Sequence, residues 1–240
     1  MAALPKLEVC FSPALLHLYD TSGVIVVIID VFRATSTIVA ALDNGAKAVM
    51  PVASVKECIE LGELIPKSIT AGERNGKVMP GLQFGNSPSE YPKDFVEGKT
   101  LILTTTNGTR LLHMIQGAAD IVTGSFLNLS ALCGFLQKQG KPVLLGCAAW
   151  KDRFNLEDTL FAGAVVDRLW SSFSIDCDSA RAAKALYRSA NNDVFGFLKD
   201  SSHYRRLSAY GLEDDLKYCS TPDLHPLVPI LRGKELVPFQ

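Results

Sequence analysis

Apolar runs of strand length alternate with segments of helical period along most of this 240-residue chain, and nothing else in the sequence limits its fold as strongly. Strands that are apolar throughout need cover on both faces. The pattern therefore predicts a mostly parallel sheet between two helical layers, a three-layer α/β/α arrangement. Strands are expected at 24–30, 46–52, 68–72, 100–105, 119–124 and 142–148, with helices at 35–43, 54–64, 107–116, 128–138 and 156–172. In the last of these, Leu156, Leu160, Phe161, Ala164, Val165 and Leu169 fall on one stripe behind Asn155, an N-cap residue type. After residue 175 the chain becomes more helical and more polar, ending in a strand-like "LVPIL". That segment reads either as a cap or as more of the outer layer. No low-complexity linker divides the chain, so residues 1–240 are read as one α/β domain.

Composition narrows the partners. A formal net charge of −1 without a Lys/Arg-rich run lacks the footprint of nucleic-acid binding. The N-terminus "MAALPKLEVCFSPALL" carries no clean apolar block before a cleavage site, and Asp30 interrupts the run 24–32, so neither a leader nor a membrane span is expected. The reading is a soluble, cytoplasmic protein, and it is compatible with a homodimer. Six cysteines without a C-x-x-C pair read as reduced core residues. Cys147 to Arg153 has the C-x5-R spacing of cysteine phosphatases. The residues between are Gly-free, unlike a loop that wraps its backbone round phosphate, so a cysteine nucleophile is set aside.

In an open parallel sheet, ligands sit beyond the carboxyl ends of the strands, where helices begin. Asp30, Arg33, Thr35, Ser36 and Thr37 follow the first strand, and Glu73, Arg74, Lys77, Asn86 and Ser87 lie in the irregular loop after the third. Thr105, Thr106 and Asn107 follow the fourth strand, and Lys151, Asp152, Arg153, Glu157 and Asp158 the sixth. Taken singly, each has a structural explanation: Thr and Asn cap helices, Asp30 and Arg33 form a helix-start ion pair, and Glu157 and Asp158 suit a helix dipole. Capping does not require several cations and carboxylates to converge on one sheet edge. Hydroxyls and Arg forks suit an oxyanion, and carboxylates beside it call for a divalent cation. Oxygen ligands without a His pair point to Mg²⁺. His17, His113, His203 and His225 show no ligand spacing and read as surface or cap residues.

Two motifs fail. "IIDVFRAT" has Phe32 where an aspartyl-phosphate phosphatase needs its second carboxylate, and "GERNGK" has three residues between its glycines where a P-loop needs four.

The stretches "DVFRATSTIVAALDNGA", "AGERNGKVMPGLQFGNSPSEY", "TTTNGTRLL", "GSFLN" and "NLEDTLFAGAVV", in this order, resemble the 2-phosphosulfolactate phosphatase family, as does the C-terminal "SSHYRRLSAYGLEDDLKYCSTPDLHPLVP". Two positions depart from its pattern: Gln83 stands where Asp is usual, and Tyr204 where Gly is usual. The resemblance implies a Mg²⁺-dependent phosphomonoesterase that converts 2-phospho-3-sulfolactate to 3-sulfolactate, a step of coenzyme M synthesis. On the combined reading, Asp30, Arg33, Glu73 and Arg74 are catalytic. Thr35, Lys77, Asn86, Ser87, Thr105, Thr106 and Asn107 bind the small anionic phosphorylated substrate, and Asp30, Glu157 and Asp158 hold Mg²⁺. The rival readings are an isomerase of a small phosphorylated acid or sugar, and a non-catalytic anion-binding protein.

Overall fold

The computed structural model describes residues 3–239 except 75, 106–110, 113 and 116. All six expected strands form, within a residue or two of the expected limits. In chain order the elements are β1 (Leu7–Cys10), β2 (Ile25–Ile29), α1 (Ala34–Asp43), β3 (Ala48–Val52), α2 (Val55–Leu64), β4 (Ser68–Arg74), β5 (Lys77–Val78) and α3 (Lys93–Val96). Next come β6 (Thr100–Thr104), β7 (Asp120–Gly124), α4 (Leu129–Gln139), β8 (Val143–Cys147) and α5 (Leu156–Leu169). The C-terminal part holds α6 (Asp178–Ser189), α7 (Val194–Leu198), α8 (Ser202–Ser208), α9 (Glu213–Cys219) and a hairpin of β9 (Pro229–Arg232) and β10 (Glu235–Pro238). The expected helix at 107–116 falls largely outside the described residues.

One ten-stranded sheet runs in the order β1-β8-β2-β7-β9-β10-β3-β6-β4-β5. β1, β8, β2 and β7 are parallel to one another, as are β3, β6 and β4. The β9–β10 hairpin lies between the groups, antiparallel to β7 on one side and to β3 on the other. The two parallel groups consequently run in opposite senses. On a flat sheet their carboxyl ends would lie at opposite edges, not at the one edge expected from the sequence. Sheets twist by about 20–25° per neighbouring pair, so the five steps from β2 to β6 turn one group through roughly 100–125°. That rotation swings the opposed strand ends towards each other, and α1 crosses the sheet there against β7, β9, β10 and β3.

Both faces of the apolar strands are covered, as their composition demands. Ile25, Val27 and Ile29 of β2 pack with Leu132 and Leu136 of α4 and Leu160, Val165 and Leu169 of α5. Val26 and Ile28 point the other way, against Leu16, Leu111 and Ile115. In the second group, Ile38 and Leu42 of α1 pack on Val49, Ile69, Leu101 and Leu103, while Cys58 and Leu61 of α2 cover Val52 and Ile102 from the opposite face. Ser54 and Glu57 fix the start of α2: the Glu57 N–H donates to Ser54 Oγ and the Ala53 N–H to Glu57 Oε2, satisfying amides the helix leaves unbonded.

Candidate active site

The apolar run of β2 stops at Asp30 because the strand there leaves the sheet for a cavity of about 270 Å³. Asp30, Phe32 and Arg33 line it from the end of β2, Glu73 and Arg74 from the end of β4, Gly76 from the β4–β5 turn, and Thr105 from the end of β6. Asn86 enters from the following loop, and Trp150 and Lys151 from beyond β8. His203, Arg206 and Leu207 of α8 close it, so the C-terminal helical part caps the cavity. Beside the β4–β5 turn, Gly76 sits so near Tyr210 that an added Cβ would come within 2.9 Å of its ring.

Asp30 and Arg33 are 8% and 4% exposed, and they do not form the simple helix-start pair. The Asp30 N–H donates to Thr35 Oγ1 at 3.2 Å, which gives Thr35 a local role that fixes the turn. Arg33 donates through Nη1 to Asp215 Oδ2 on α9. Asp215 Oδ1 in turn accepts from Ser87 Oγ at 2.6 Å. Ser87, expected to touch substrate, thus reaches the cavity only through this chain. Lys77, also expected there, lies on exposed β5 and does not line the cavity, because the short hairpin turns its strand outward to solvent. Thr106 and Asn107 lie outside the described residues.

The start of α5 binds the two neighbouring strand ends. Asp158 Oδ1 accepts from the Val31 N–H at 2.9 Å and Oδ2 from the Ala149 N–H at 3.2 Å. Burial, with Glu157 and Asp30 nearby, holds the Asp158 carboxyl well above the usual range. Expected as a metal ligand, Asp158 is instead enclosed, with both oxygens on backbone amides. Glu157 is fully buried; its Oε1 bonds His203 Nδ1, while Oε2 has no hydrogen-bond partner. A buried carboxylate oxygen left unpaired is costly. Among the described residues, no group of three or more His, Cys, Asp or Glu is arranged to cage a metal. Mg²⁺ keeps several waters and takes one or two carboxylates, so Asp30 with the unpaired Glu157 oxygen fits its chemistry without such a cage.

Among the described residues, four cations line the cavity against two carboxylates: Arg33, Arg74, Lys151 and Arg206 face Asp30 and Glu73. Depth sorts them. Arg33 is buried beside Asn86, whose Oδ1 is also buried without a partner. Arg74 and Arg206 are half-buried and Lys151 is exposed at the mouth. Trp150 organises that mouth, with the Arg206 guanidinium 3.9 Å and Lys151 Nζ 4.6 Å from its ring centroid. Burial draws the Arg206 guanidinium below its ordinary value, against the pull of Glu157 and Glu73.

Residues 10–234 match the sequence pattern of the 2-phosphosulpholactate phosphatase family. The chain belongs to that family. A relative from Thermotoga maritima named probable 2-phosphosulfolactate phosphatase is 46% identical over 209 residues, 85% of this chain and 88% of that one. Relatives of the same name from Caldanaerobacter subterraneus and Clostridium perfringens are 40% identical over 211 residues and 38% over 236. These alignments cover 87% of this chain and 88% of the first relative, and 96% and 95% for the second. Both departures from the family pattern have local partners. Gln83 Oε1 accepts from the Thr70 N–H, and the Tyr204 hydroxyl donates to Glu213.

Of the four histidines, His17 is exposed, as expected, and His113 lies outside the described residues. His203, 7% exposed, belongs to the α8 cap and lines the cavity, whereas His225 is buried between Asp43 and Tyr218 and is no surface residue. With His203, sequence reasoning missed Trp150, Arg206 and Asp215; the local signal for Trp150 was an aromatic ring beside Lys151, and for the others the charged, aromatic character of "SSHYRRL" and "LEDDL". All six cysteines are free, five of them buried. Burial pushes the Cys147 thiol well above its ordinary value, and Arg153 does not line the cavity. This agrees with setting aside the cysteine mechanism. Among the described residues, no helix is long and apolar enough to cross a membrane.

Proposed function

We propose that this chain is a Mg²⁺-dependent phosphomonoesterase that hydrolyses 2-phospho-3-sulfolactate to 3-sulfolactate and phosphate. The observation that carries the reading is the excess of cations in a cavity of about 270 Å³, found in a member of this family. The substrate bears phosphate, carboxylate and sulfonate on three carbons, and a wall with four cations against two carboxylates suits that load. Arg33 and Asn86 receive the phosphate at the buried end. Arg74, Lys151 and Arg206 receive the remaining anionic groups nearer the mouth. Mg²⁺ bound by Asp30 and Glu157 would neutralise charge on the transferring phosphoryl group. His203 spends Nδ1 on Glu157, which leaves Nε2 as the ring nitrogen available to a ligand. The α8 wall limits water around these groups and strengthens every charge interaction inside.

The test is phosphate release from a panel of phospho-acids, with Mg²⁺ and with excess EDTA. Release from 2-phospho-3-sulfolactate should stop on chelation and return with added Mg²⁺. Full activity in EDTA would remove the metal from the scheme. Conversion without phosphate release would make the protein an isomerase, and unchanged substrate would make it a binder.

A further inference from the structure

We propose that Asp215 is a positioning residue of this site, holding Arg33 and the Asn86 loop in register for the phosphate. The inference rests on the assignment of Arg33 and Asn86 to the phosphate end. Asp215 belongs to α9, distant in sequence from both, yet its two oxygens are divided between them. Oδ2 accepts from Arg33 Nη1, while Oδ1 accepts from Ser87 Oγ at 2.6 Å and from Ser89 Oγ at 3.4 Å. Ser87 follows Asn86 directly, and the Asn86 carbonyl accepts from Thr37 Oγ1 on α1 at 3.1 Å. Arg33 and Asp215 are 4% and 8% exposed.

A buried guanidinium with several free rotamers binds an anion poorly unless it is held in place. Asp215 does not line the cavity itself, so it acts through Arg33 and the loop. One nitrogen of the Arg33 fork is thereby spent on Asp215. The donors that remain keep a fixed direction for the phosphate. Asp214, the neighbouring acid on the same helix, is exposed and has no part in this chain of bonds.

Binding of inorganic phosphate, measured by calorimetry, gives a readout independent of turnover. Asp215→Asn should weaken it on the order of tenfold, the size of effect that outer-shell partners of a binding group carry. KM should rise with it more than kcat falls. Ser87→Ala, which leaves both charges in place, should shift phosphate affinity in the same direction by less, and Asp214→Asn should leave it unchanged. Adding Asp215→Asn to Arg33→Gln should cost less affinity than Asp215→Asn costs the parent, because only the route through the loop is left to lose. Asp215→Asn and Ser87→Ala variants that lose thermal stability but bind phosphate like the parent would overturn the proposal. A parent chain that binds phosphate but releases none from the substrate would overturn the reaction and leave the Asp215 comparison to stand by itself.

Discussion

Asp30 and Arg33 stand three residues apart and serve different neighbours, which makes their replacement informative. An exposed ion pair at a strand end contributes roughly 0–1 kcal/mol, whereas a group aimed at transition-state charge supplies about 2–4 kcal/mol. Both residues are buried at the cavity. Asp30→Asn and Arg33→Ala should therefore each lose at least about a hundredfold in kcat/KM. Near-normal kinetics in both folded variants would return the pair to a structural role. Cys147 makes the opposite case. Its thiol is fully buried and protonated, so it supplies no thiolate nucleophile. Steady-state assays of Cys147→Ser should stay within about tenfold of the parent, roughly 1.4 kcal/mol in barrier terms. A loss of several orders of magnitude would restore the cysteine mechanism. At this scale the sequence was legible for residues at or just beyond a strand's end that gather at the cavity, as Asp30, Arg33, Glu73, Arg74 and Thr105 do, and for Asn86 in the irregular loop after β5. It was silent where a residue reaches the site from far along the chain, as His203, Arg206 and Asp215 do, because no local spacing records a tertiary approach.

α5 and α6 pack more closely than their side chains alone would suggest. Gly163 of α5 lies so near α6 that an added Cβ would sit 2.1 Å from the Ala183 carbonyl oxygen, against rigid backbone. Gly163→Ala must therefore push the helices apart, and overpacking of this kind costs about 1–3 kcal/mol. At this chain length each kcal/mol lowers Tm by roughly 2–4 °C. Calorimetry should show that loss, and an unchanged or raised Tm would contradict the packing described here. The same displacement shifts Glu157 and Asp158 at the start of α5, so kcat should fall along with stability. Elements with strong apolar periodicity, β2, β8 and α5 among them, were legible from the sequence. β1, β5 and β10 were not: each has two to four residues, too few to establish a period, and each forms because a neighbouring strand offers an open edge.

Across the whole molecule, the β9–β10 hairpin joins two parallel groups that have no other connection through the sheet. Leu236 of β10 pairs with Val49 and is 1% exposed among Ile38, Leu101 and Leu103. Leu236→Ala should cost about 2–5 kcal/mol, the range for emptying a buried leucine site. It should also weaken the cavity, whose lining comes from both groups. Denaturant titration followed by both tryptophan fluorescence and circular dichroism would check this, and coincident curves at parental stability would refute it. The antiparallel join could not be read from the alternating pattern, because strand direction is not encoded in apolar periodicity. The hairpin also imposes an order in time. Until residues 229–238 are in place, β7 and β3 are left as unpaired edges, open to neighbouring chains at high concentration. The pairings of Val122 with Ile230 and of Val49 with Leu236 are long-range, and pairings of this kind close slowly, so the join between the two halves of the sheet should form late.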